Sequence, residues 1–372
     1  MITELSRFDG LFVIARNSTF QLKGRGVDIA EVGRRFGVRY VVEGSVRRAG
    51  NRVRISAQLT DVAGANHLWA ERYDRDLTDV FAVQDDVTSQ IIAALGAELG
   101  AAARPQPRRQ VTENIEAYDL YLRGRAYVER TTPEANRRAR EMFERAIALD
   151  DGCAEAFSEL AMAKFRDWVF GWDSTPDLLD QAPDAASEGI ARDDTLAAAH
   201  TRFAWVELWR RNHDTAIVAP RRAVALDTNY AEGHSLLAGI LAFSSETDDV
   251  TEAVASANAA ARLDPYSFTA AFHRGVANFV ANRHEDAMEG CRASLQINPD
   301  FLGGHLFLAA LLGLSGNVSE AKVEADEIRR LTADLEAIFH RLPFRDATLS
   351  DRLVRGLRQA GFELADPPET GG

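Results

Sequence analysis

Two patterns of apolar residues follow one another along this chain, one with the period of a β-strand and one with the period of a helix. In VVEGSVRRAGNRVRISAQLTD, residues 41–61, apolar and polar positions alternate on both sides of a turn at residues 49–51. A period of two predicts an antiparallel hairpin with one covered face. The stretches LFVIA (11–15) and HLWAERYD (67–74) predict two further strands. The residues predicted on the covered side of the hairpin are Val38, Tyr40, Val42, Val46, Val53, Ile55, Ala57 and Leu59.

Helical signals flank this predicted sheet. In VDIAEVGRRFGV, Asp28 can cap a helix, Ile29 and Phe36 fall on one apolar face, and Gly37 supplies a stop. A second helix is predicted over residues 83–99. A sheet with one apolar face needs a helical layer over it. Residues 1–100 therefore predict a small α/β domain, an antiparallel meander with covering helices.

Beyond a Pro- and Arg-containing linker, residues 101–112, the chain repeats itself. The phrases RAIALD, RAVALD, AAARLD and ASLQIN recur with a shortest spacing of 34 residues, the period of a helix–turn–helix repeat. A small residue that lets two helices approach recurs with the same phase. We expect six repeats over residues 113–331. The recurring small positions are Gly124, Ala161, Ala204, Ala238, Gly275 and Ala309.

The repeats predict a mainly α protein, in which helix pairs stack into an α-solenoid superhelix with a concave groove. Residues 332–364 predict capping helices joined by a Pro-containing turn, with Leu353 and Leu357 on the apolar face of the last helix. Residues 365–372 predict a disordered tail.

Charge separates the two parts of the chain. The net charge is −13 over 372 residues, yet residues 1–110 hold 16 basic and 13 acidic residues, which leaves about −16 for the remainder. Phosphates would be repelled there, so we expect no nucleic acid along the repeats. The sequence contains no apolar run long enough to cross a membrane and no signal-peptide pattern at its N-terminus, which predicts a cytoplasmic location.

No catalytic, cofactor-binding or metal-binding residue is predicted. Cys153 and Cys291 lie far apart in the sequence and are expected to pack in the interior. His200, His234 and His305 occupy one position of three repeats, which raises the alternative of a metal ladder. Equivalent positions of stacked repeats lie about 8–10 Å apart, too far for shared ligation, so a packing role is favoured.

The candidates for partner binding are aromatic residues on the first helices of the repeats and, for Trp168 and Trp172, at the insertion of the second repeat. An aromatic patch in a groove is typical of a recognition surface. The alternative is that the long second repeat uses its tryptophans as a small core of its own. Some repeat grooves bind the C-terminal carboxylate of a partner through Lys and Asn side chains at set positions. None of the corresponding positions holds a lysine here, which argues against a groove of that kind. The predicted groove residues are Tyr121, Trp168, Trp172, Trp205, Trp209 and Phe272.

Four arginines crowd the hairpin, Arg47, Arg48, Arg52 and Arg54. They could grip phosphate or DNA, or they could form a solvated strand face that resists aggregation. The second interpretation is favoured because no aromatic interleaving and no groove-reading helix accompany the cluster. The partners predicted from the sequence therefore include no nucleic acid.

The stretch LFVIARNSTFQLKG…VDIAEVGRRFGVRYVVEGSVRRAGNRVRISAQLTDVAGANHLWAERYDRDLTDVFAVQDDVTSQIIAAL resembles the TolB amino-terminal-like (FlgO-like) domain, and the match covers residues 2–96. It is similar in particular to the version found in bacterial class III adenylate/guanylate cyclases and CadC-like regulators that carry tetratricopeptide (TPR) repeats, and residues 113–331 resemble those repeats. The family version begins with an earlier strand, so its loss predicts an unpaired sheet edge through which the chain could self-associate. Neither a cyclase domain nor a winged helix accompanies the match.

The resemblance implies a non-catalytic signalling scaffold or sensor that binds a peptide or protein in the groove of its repeats. Two alternatives remain open. One is a cyclase, an activity inherited in name from longer relatives. The other is a module of a DNA-linked transcriptional regulator.

Overall fold

The computed structural model describes residues 2–6, 11–50, 52–64, 66–76, 80–99, 111–128, 130, 132–173, 175, 177–244, 249–332 and 335–364. The chain divides into two compact units, residues 1–107 and residues 108–372, called unit 1 and unit 2 below. The fold class predicted from the sequence is confirmed. Unit 1 contains a small antiparallel sheet with helices, and unit 2 is an α-solenoid. The predicted linker and tail, residues 101–112 and 365–372, lie almost wholly outside the described residues.

The described residues of unit 1 form a three-stranded sheet in the order β1-β2-β3 and four helices. The pairing of Ala49 with Arg52 fixes the hairpin turn, and Gly50 adopts a positive φ of 60° there. Asp28 caps α3 by accepting from the amide of Ala30, as predicted. The elements are α1 (Ile2–Ser6), α2 (Arg16–Phe20), α3 (Ile29–Phe36), β1 (Tyr40–Ala49), β2 (Arg52–Asp61), β3 (Asn66–Asp76) and α4 (Val80–Leu99).

The core of unit 1 lies between the sheet and α4. Ala57 and Leu59 of β2 pack with Val87, Ile91 and Leu95 of α4 in one apolar cluster. The predicted alternation is therefore confirmed for β2, whose odd-numbered positions point into the core. The last helix of unit 1 provides the cover that a one-sided sheet requires.

Two predictions for unit 1 are wrong. Residues 11–15 form no strand; Ile14 is buried, and Leu11 and Val13 pack beside the sheet cluster without joining the ladder. Their apolar character reflects burial rather than pairing. Val46 was predicted on the covered side but is 69% exposed, because β1 extends past the reach of the helices along its last seven residues.

Unit 2 contains six consecutive helix pairs among its described residues. The first helix of each pair is called the A helix and the second the B helix. The A and B helices of a pair pack on each other, and each B helix then packs on the next A helix. The pairs are α5 (Ile115–Val128) and α6 (Pro133–Leu149), α7 (Ala154–Val169) and α8 (Leu178–Arg192), α9 (Ala197–Trp209) and α10 (His213–Leu226), α11 (Ala231–Ser244) and α12 (Asp249–Leu263), α13 (Phe268–Val280) and α14 (His284–Ile297), and α15 (Leu302–Leu314) and α16 (Val318–Leu331).

Small residues let the two helices of a pair approach closely. The predicted small position is buried in every pair. In the fifth pair, a Cβ added to Gly290 would lie 2.7 Å from the Cα of Gly275, so the two glycines permit contact between the helix backbones. These small residues recur at fixed spacing in the sequence, which explains why the repeat could be recognised from the sequence alone.

The A helices form the inner layer of the array. Successive A helices from α7 to α15 contact one another directly, in addition to their B-helix partners. Most of these helices end in a residue with left-handed backbone, such as Arg211 (φ 64°), Asn282 (φ 58°) and Gly316 (φ 76°). In these helices the residue that follows donates a backbone hydrogen bond to a carbonyl of the last turn. The turns after the A helices therefore line up along one rim of the array.

Two helices follow the repeats, α17 (Leu335–Arg341) and α18 (Ala347–Gln359), joined by a turn that contains the buried Pro343. α18 packs on α15, the A helix of the last pair, and buries Leu353 and Leu357 completely. The chain thus turns back onto the inner layer after the last repeat.

Candidate functional site

Three of the predicted tryptophans lie together on the inner layer of unit 2. Trp168 at the end of α7 is 6.1 Å from Trp209 at the end of α9, and Trp209 is 6.2 Å from Trp205, measured between ring centroids. Phe165 sits between them, 5.6 Å from Trp209 and 6.4 Å from Trp205. We call this group, together with Phe243 and Phe307 of the same core cluster, the inner groove.

The structure places the other predicted groove residues elsewhere. Phe272 belongs to the same core cluster but packs edge-on against Phe301 and Phe307. Tyr121 is buried in a separate cluster of the first repeat, 6.4 Å from Phe143. Trp172 stacks on Phe170 at 4.6 Å, in the connection between α7 and α8. The proposed binding role of all six residues stays a prediction.

The inner groove is occupied by the chain itself. Phe339 of α17 and Phe344 of the following turn are each 4% exposed and belong to the same cluster as the tryptophans. The Phe344 ring lies 4.9 Å from Phe243 and 6.4 Å from Phe307. Since Phe243 and Phe307 come from the fourth and sixth pairs, which are not neighbours, Phe344 bridges the groove rather than extending the stack.

Polar contacts tie the same segment to the rim of A-helix ends. The amide of Arg345 donates to the carbonyl of Phe243 at 2.9 Å, and the Arg345 guanidinium pairs with Asp214 at 2.8 Å. Arg211 donates in the other direction, to the carbonyls of Leu342 (3.2 Å) and Phe344 (3.4 Å). These contacts fix the main chain of residues 342–345. Residues 335–346, which comprise α17, residues 342–345 and Asp346, are called the groove segment below.

The side chain of Arg341 in the groove segment also reaches the end of α7. The Arg341 guanidinium lies 5.5 Å from the centre of the Trp168 ring and 3.4 Å from the carbonyl of Val169. The last carbonyls of a helix carry the negative end of its dipole, so they favour a cation. A cation over an indole face gains a further favourable interaction.

α18 is held more firmly than the groove segment. Gly356 packs directly against the carbonyl of Ala310 on α15, with no room for a Cβ. Arg352 donates to the carbonyl of Phe279 and to Asn282, and its guanidinium covers the Phe279 ring at 4.1 Å. α18 therefore acts as a cap whose packing resembles that of a core helix.

A buried charge network lies on the inner layer near the first repeats. Arg202 of α9 is 5% exposed and donates to Glu159 of α7 at 2.9 Å, to Tyr230 at 3.2 Å and to Glu232 at 3.4 Å. Arg125 of α5 approaches the same carboxylate of Glu159 at 3.6 Å. Burying a charge is costly unless it is paired, and these pairs supply that compensation. The network links the A helices of four successive pairs.

The repeated histidines serve the turns between repeats. In each case Nε2 donates to a main-chain carbonyl six residues earlier, which ties the start of an A helix to the preceding loop. Among the described residues, no group of three or more His, Cys, Asp or Glu side chains is arranged to hold a metal ion. Burial raises the pKa of both cysteine thiols to about 12, so neither is a poised nucleophile. The three contacts are His200 to Asp194 (2.8 Å), His234 to Thr228 (3.0 Å) and His305 to Pro299 (2.8 Å).

Among the described residues of unit 1, partners are found for Arg54 and Arg48 of the hairpin arginines. Arg54 pairs with Asp74 of β3 at 2.7 Å, and Arg48 donates to the carbonyl of Gly50. These contacts agree with a solvated strand face. The absence of a nucleic-acid partner and the self-association of the sheet edge both stay predictions.

The sequence analysis missed the groove segment as a functional element. Residues 335–346 were interpreted as part of a cap, although LEAIFHRLPF is more apolar than a solvent-facing cap helix needs to be. That excess was the available signal. The acceptors of Arg341 and the partners of Arg211 are main-chain carbonyls, which no sequence pattern marks.

None of the helices described by the structure combines the length and the apolar character that a membrane crossing demands. No family model matches the chain. It is 44% identical over 217 residues to Putative adenylate cyclase 3 of Rhizobium meliloti (strain 1021), a match that covers 58% of this chain. The chain spans only 37% of the length of that relative.

Solved structures resemble part of the chain at low sequence identity. PilF of Pseudomonas aeruginosa matches 57% of this chain and 88% of its own, with a TM-score of 0.40 and 18% identity. YrrB, described as a TPR protein with an unusual peptide-binding site, matches 52% of this chain and 92% of its own, with a TM-score of 0.33 and 20% identity. The Cut9–Hcn1 structure matches 65% of this chain and 46% of its own, with a TM-score of 0.46 and 15% identity.

Proposed function

We propose that this chain is a non-catalytic interaction scaffold, in which the inner groove of the repeats holds a peptide segment of a partner protein. The single observation that carries the proposal is the occupation of the inner groove by residues 342–345, whose main chain is hydrogen-bonded to Phe243 and Arg211. Peptide recognition commonly combines main-chain hydrogen bonds with pockets for a few side chains. The inner groove provides main-chain hydrogen bonds and side-chain contacts to residues 342–345, and it could provide the same contacts to a peptide of a partner protein.

The test is an array of short peptides probed with the wild-type chain and with Phe344→Ala, which loosens the groove segment. We expect a subset of peptides to bind, and to lose binding when Trp168→Ala is added. The matched control is Phe170→Ala, because Phe170 is half exposed and stacks on Trp172 rather than on the groove. The absence of any peptide whose binding depends on Trp168 in either chain would contradict the proposal.

The setting we propose is cyclic-nucleotide signalling, with unit 1 as a TolB amino-terminal-like accessory domain. The support is the identity of 44% over 217 residues to a protein named as an adenylate cyclase, together with the resemblance of residues 2–96 to that domain. In this proposal a cyclase domain outside this sequence makes the cyclic nucleotide. Binding of a partner in the groove of this chain regulates that domain.

The name of the relative also favours a second candidate, cyclase activity in this chain itself. Cyclase chemistry requires carboxylates that hold metal ions beside a nucleotide pocket. We expect the purified chain to form no cyclic AMP or cyclic GMP from ATP or GTP with Mg²⁺ or Mn²⁺. Cyclic product that grows with the concentration of the chain would replace the scaffold proposal with this one.

A further inference from the structure

We propose that the inner groove binds, in trans, a peptide with two aromatic side chains five residues apart and an arginine after the second, and that the groove segment is the competitor built into the chain. This inference rests on the proposed function and deepens it by naming the chemistry of the partner. The pattern is that of Phe339, Phe344 and Arg345, which occupy the groove in the structure.

The aromatic part of the inference follows from where the two rings lie. Phe339 and Phe344 are almost fully buried, whereas the side chains of Arg341 and Arg345 next to them stay largely exposed. The Phe344 ring meets Phe243 edge-on at an interplanar angle of 60°, the arrangement that aromatic pairs prefer. The two rings are thus the anchors of the segment, and a competing peptide needs both.

The preference for an arginine follows from the acceptors on the rim. The groove offers acceptors for cations, namely the carbonyls at the end of α7 and the carboxylate of Asp214. The segment of the chain beyond residue 110 carries a net charge of about −16. An arginine-bearing peptide is therefore attracted to this rim, and an acidic one is repelled.

The groove segment has the properties of a releasable occupant. α17 has seven residues, too few to be stable as an isolated helix. The Arg345–Asp214 pair is exposed, with Asp214 at 88%, and exposed pairs contribute little stability. α18 by contrast buries Leu353 and Leu357 fully and packs backbone to backbone on α15. The segment can therefore leave the groove while the cap remains in place.

Competition within one chain lowers the apparent affinity for a partner by the fraction of molecules whose groove is open. Weakening the groove segment without touching the groove must then strengthen binding in trans. A fluorescently labelled peptide with the sequence of residues 335–346, LEAIFHRLPFRD, is titrated into the full wild-type chain and into Phe344→Ala. We expect the variant to bind at least about tenfold more tightly. The matched control is Phe362→Ala, which removes an aromatic ring that packs against Arg329 of α16.

A second variant, Arg345→Glu, reverses the exposed charge that pairs with Asp214 and leaves the core unchanged, so it keeps the test open if Phe344→Ala fails to fold. It should also bind the labelled peptide more tightly than the wild-type chain. The same peptide with both phenylalanines replaced by alanine should not bind any of these chains.

Equal affinity of the wild-type and both variant chains would overturn the inference, as would folded variants that bind the alanine peptide equally well. Either result leaves the proposed function standing if the array identifies other peptides whose binding depends on Trp168. A failure of both experiments removes the proposed function as well.

Discussion

His213 is a buried titratable residue at the rim of the groove. It begins α10, and its Nδ1 lies 2.9 Å from the hydroxyl of Ser244. Burial, with Arg345 and Arg211 nearby, lowers the pKa of His213 to about 4. The unfolded chain, with an ordinary histidine pKa near 6.5, binds more protons than the folded chain between these values. The stability contributed by neutral His213 is therefore present at pH 7 and is lost as the pH falls from about 6.5 to about 4.

We expect this residue to account for about 2 kcal/mol of the free energy of unfolding lost between pH 7 and pH 5. His213→Gln should show a smaller loss than the wild-type chain when urea unfolding is compared at the two pH values. Buried His273, with a pKa lowered to about 4 by desolvation, contributes in the same direction in both chains. Identical pH dependence of the two chains would contradict the assignment.

Arg211 has a strained backbone conformation, and its side chain contacts the groove segment. Its φ of 64° favours glycine, and a non-glycine residue in this region costs about 1 kcal/mol. Its guanidinium in return holds the carbonyls of Leu342 and Phe344.

We expect Arg211→Gly to change the melting temperature little, because relief of strain offsets the lost hydrogen bonds. Added to Phe344→Ala, which opens the groove, it should weaken binding of the labelled LEAIFHRLPFRD peptide, because Arg211 then no longer donates to the main-chain carbonyls of the bound segment. The control is Asn282→Gly, the corresponding turn of the fifth pair, with φ 58° and a contact to α18 instead. Unchanged peptide affinity when Arg211→Gly is added to Phe344→Ala, measured beside this control in the same background, would count against the role given to Arg211.

At the scale of elements, the seat of α18 on α15 depends on one glycine. A Cβ at position 356 would run into the main-chain carbonyl of Ala310, which cannot move aside as a side chain could. Overpacking of this kind costs about 1–3 kcal/mol.

Gly356→Ala should therefore lower the free energy of unfolding by about that amount in urea. Gly26→Ala is the control, because nothing lies within 4 Å of a Cβ added there. Equal stability of both variants and the wild-type chain would show that α18 is not seated as described.

The sequence predicted elements well where the determinants are local. Each helix pair repeats the same small positions, such as Ala204 and Ala238, so stacking could be inferred from the pattern alone. The course of the groove segment could not, since it depends on which side chains meet across the finished array. The strand predicted for LFVIA (11–15) is absent because apolar residues need burial, and strand pairing is only one way to obtain it. Trp205 and Trp209 were found because their spacing places them on an A helix, whereas the partners of Phe344 have no signal in the sequence.

At the scale of the whole molecule, unit 2 carries its own apolar cores, built from residues of the array and of the C-terminal helices. We expect residues 108–372 to fold when expressed alone and to melt within about 3 °C of the corresponding transition of the full chain, as followed by circular dichroism at 222 nm. The isolated unit should also bind the labelled peptide when it carries Phe344→Ala. A product that is unfolded or aggregated would contradict the division into units.

The most direct test of the central claim is hydrogen exchange at the amide of Arg345, which donates to the carbonyl of Phe243 in the inner groove. In the full chain this amide should exchange slowly when the chain is alone and should become fast when an excess of the LEAIFHRLPFRD peptide is added, while the amides of α18 stay protected. Fast exchange in the chain alone, or slow exchange that the peptide leaves unchanged, would contradict the account.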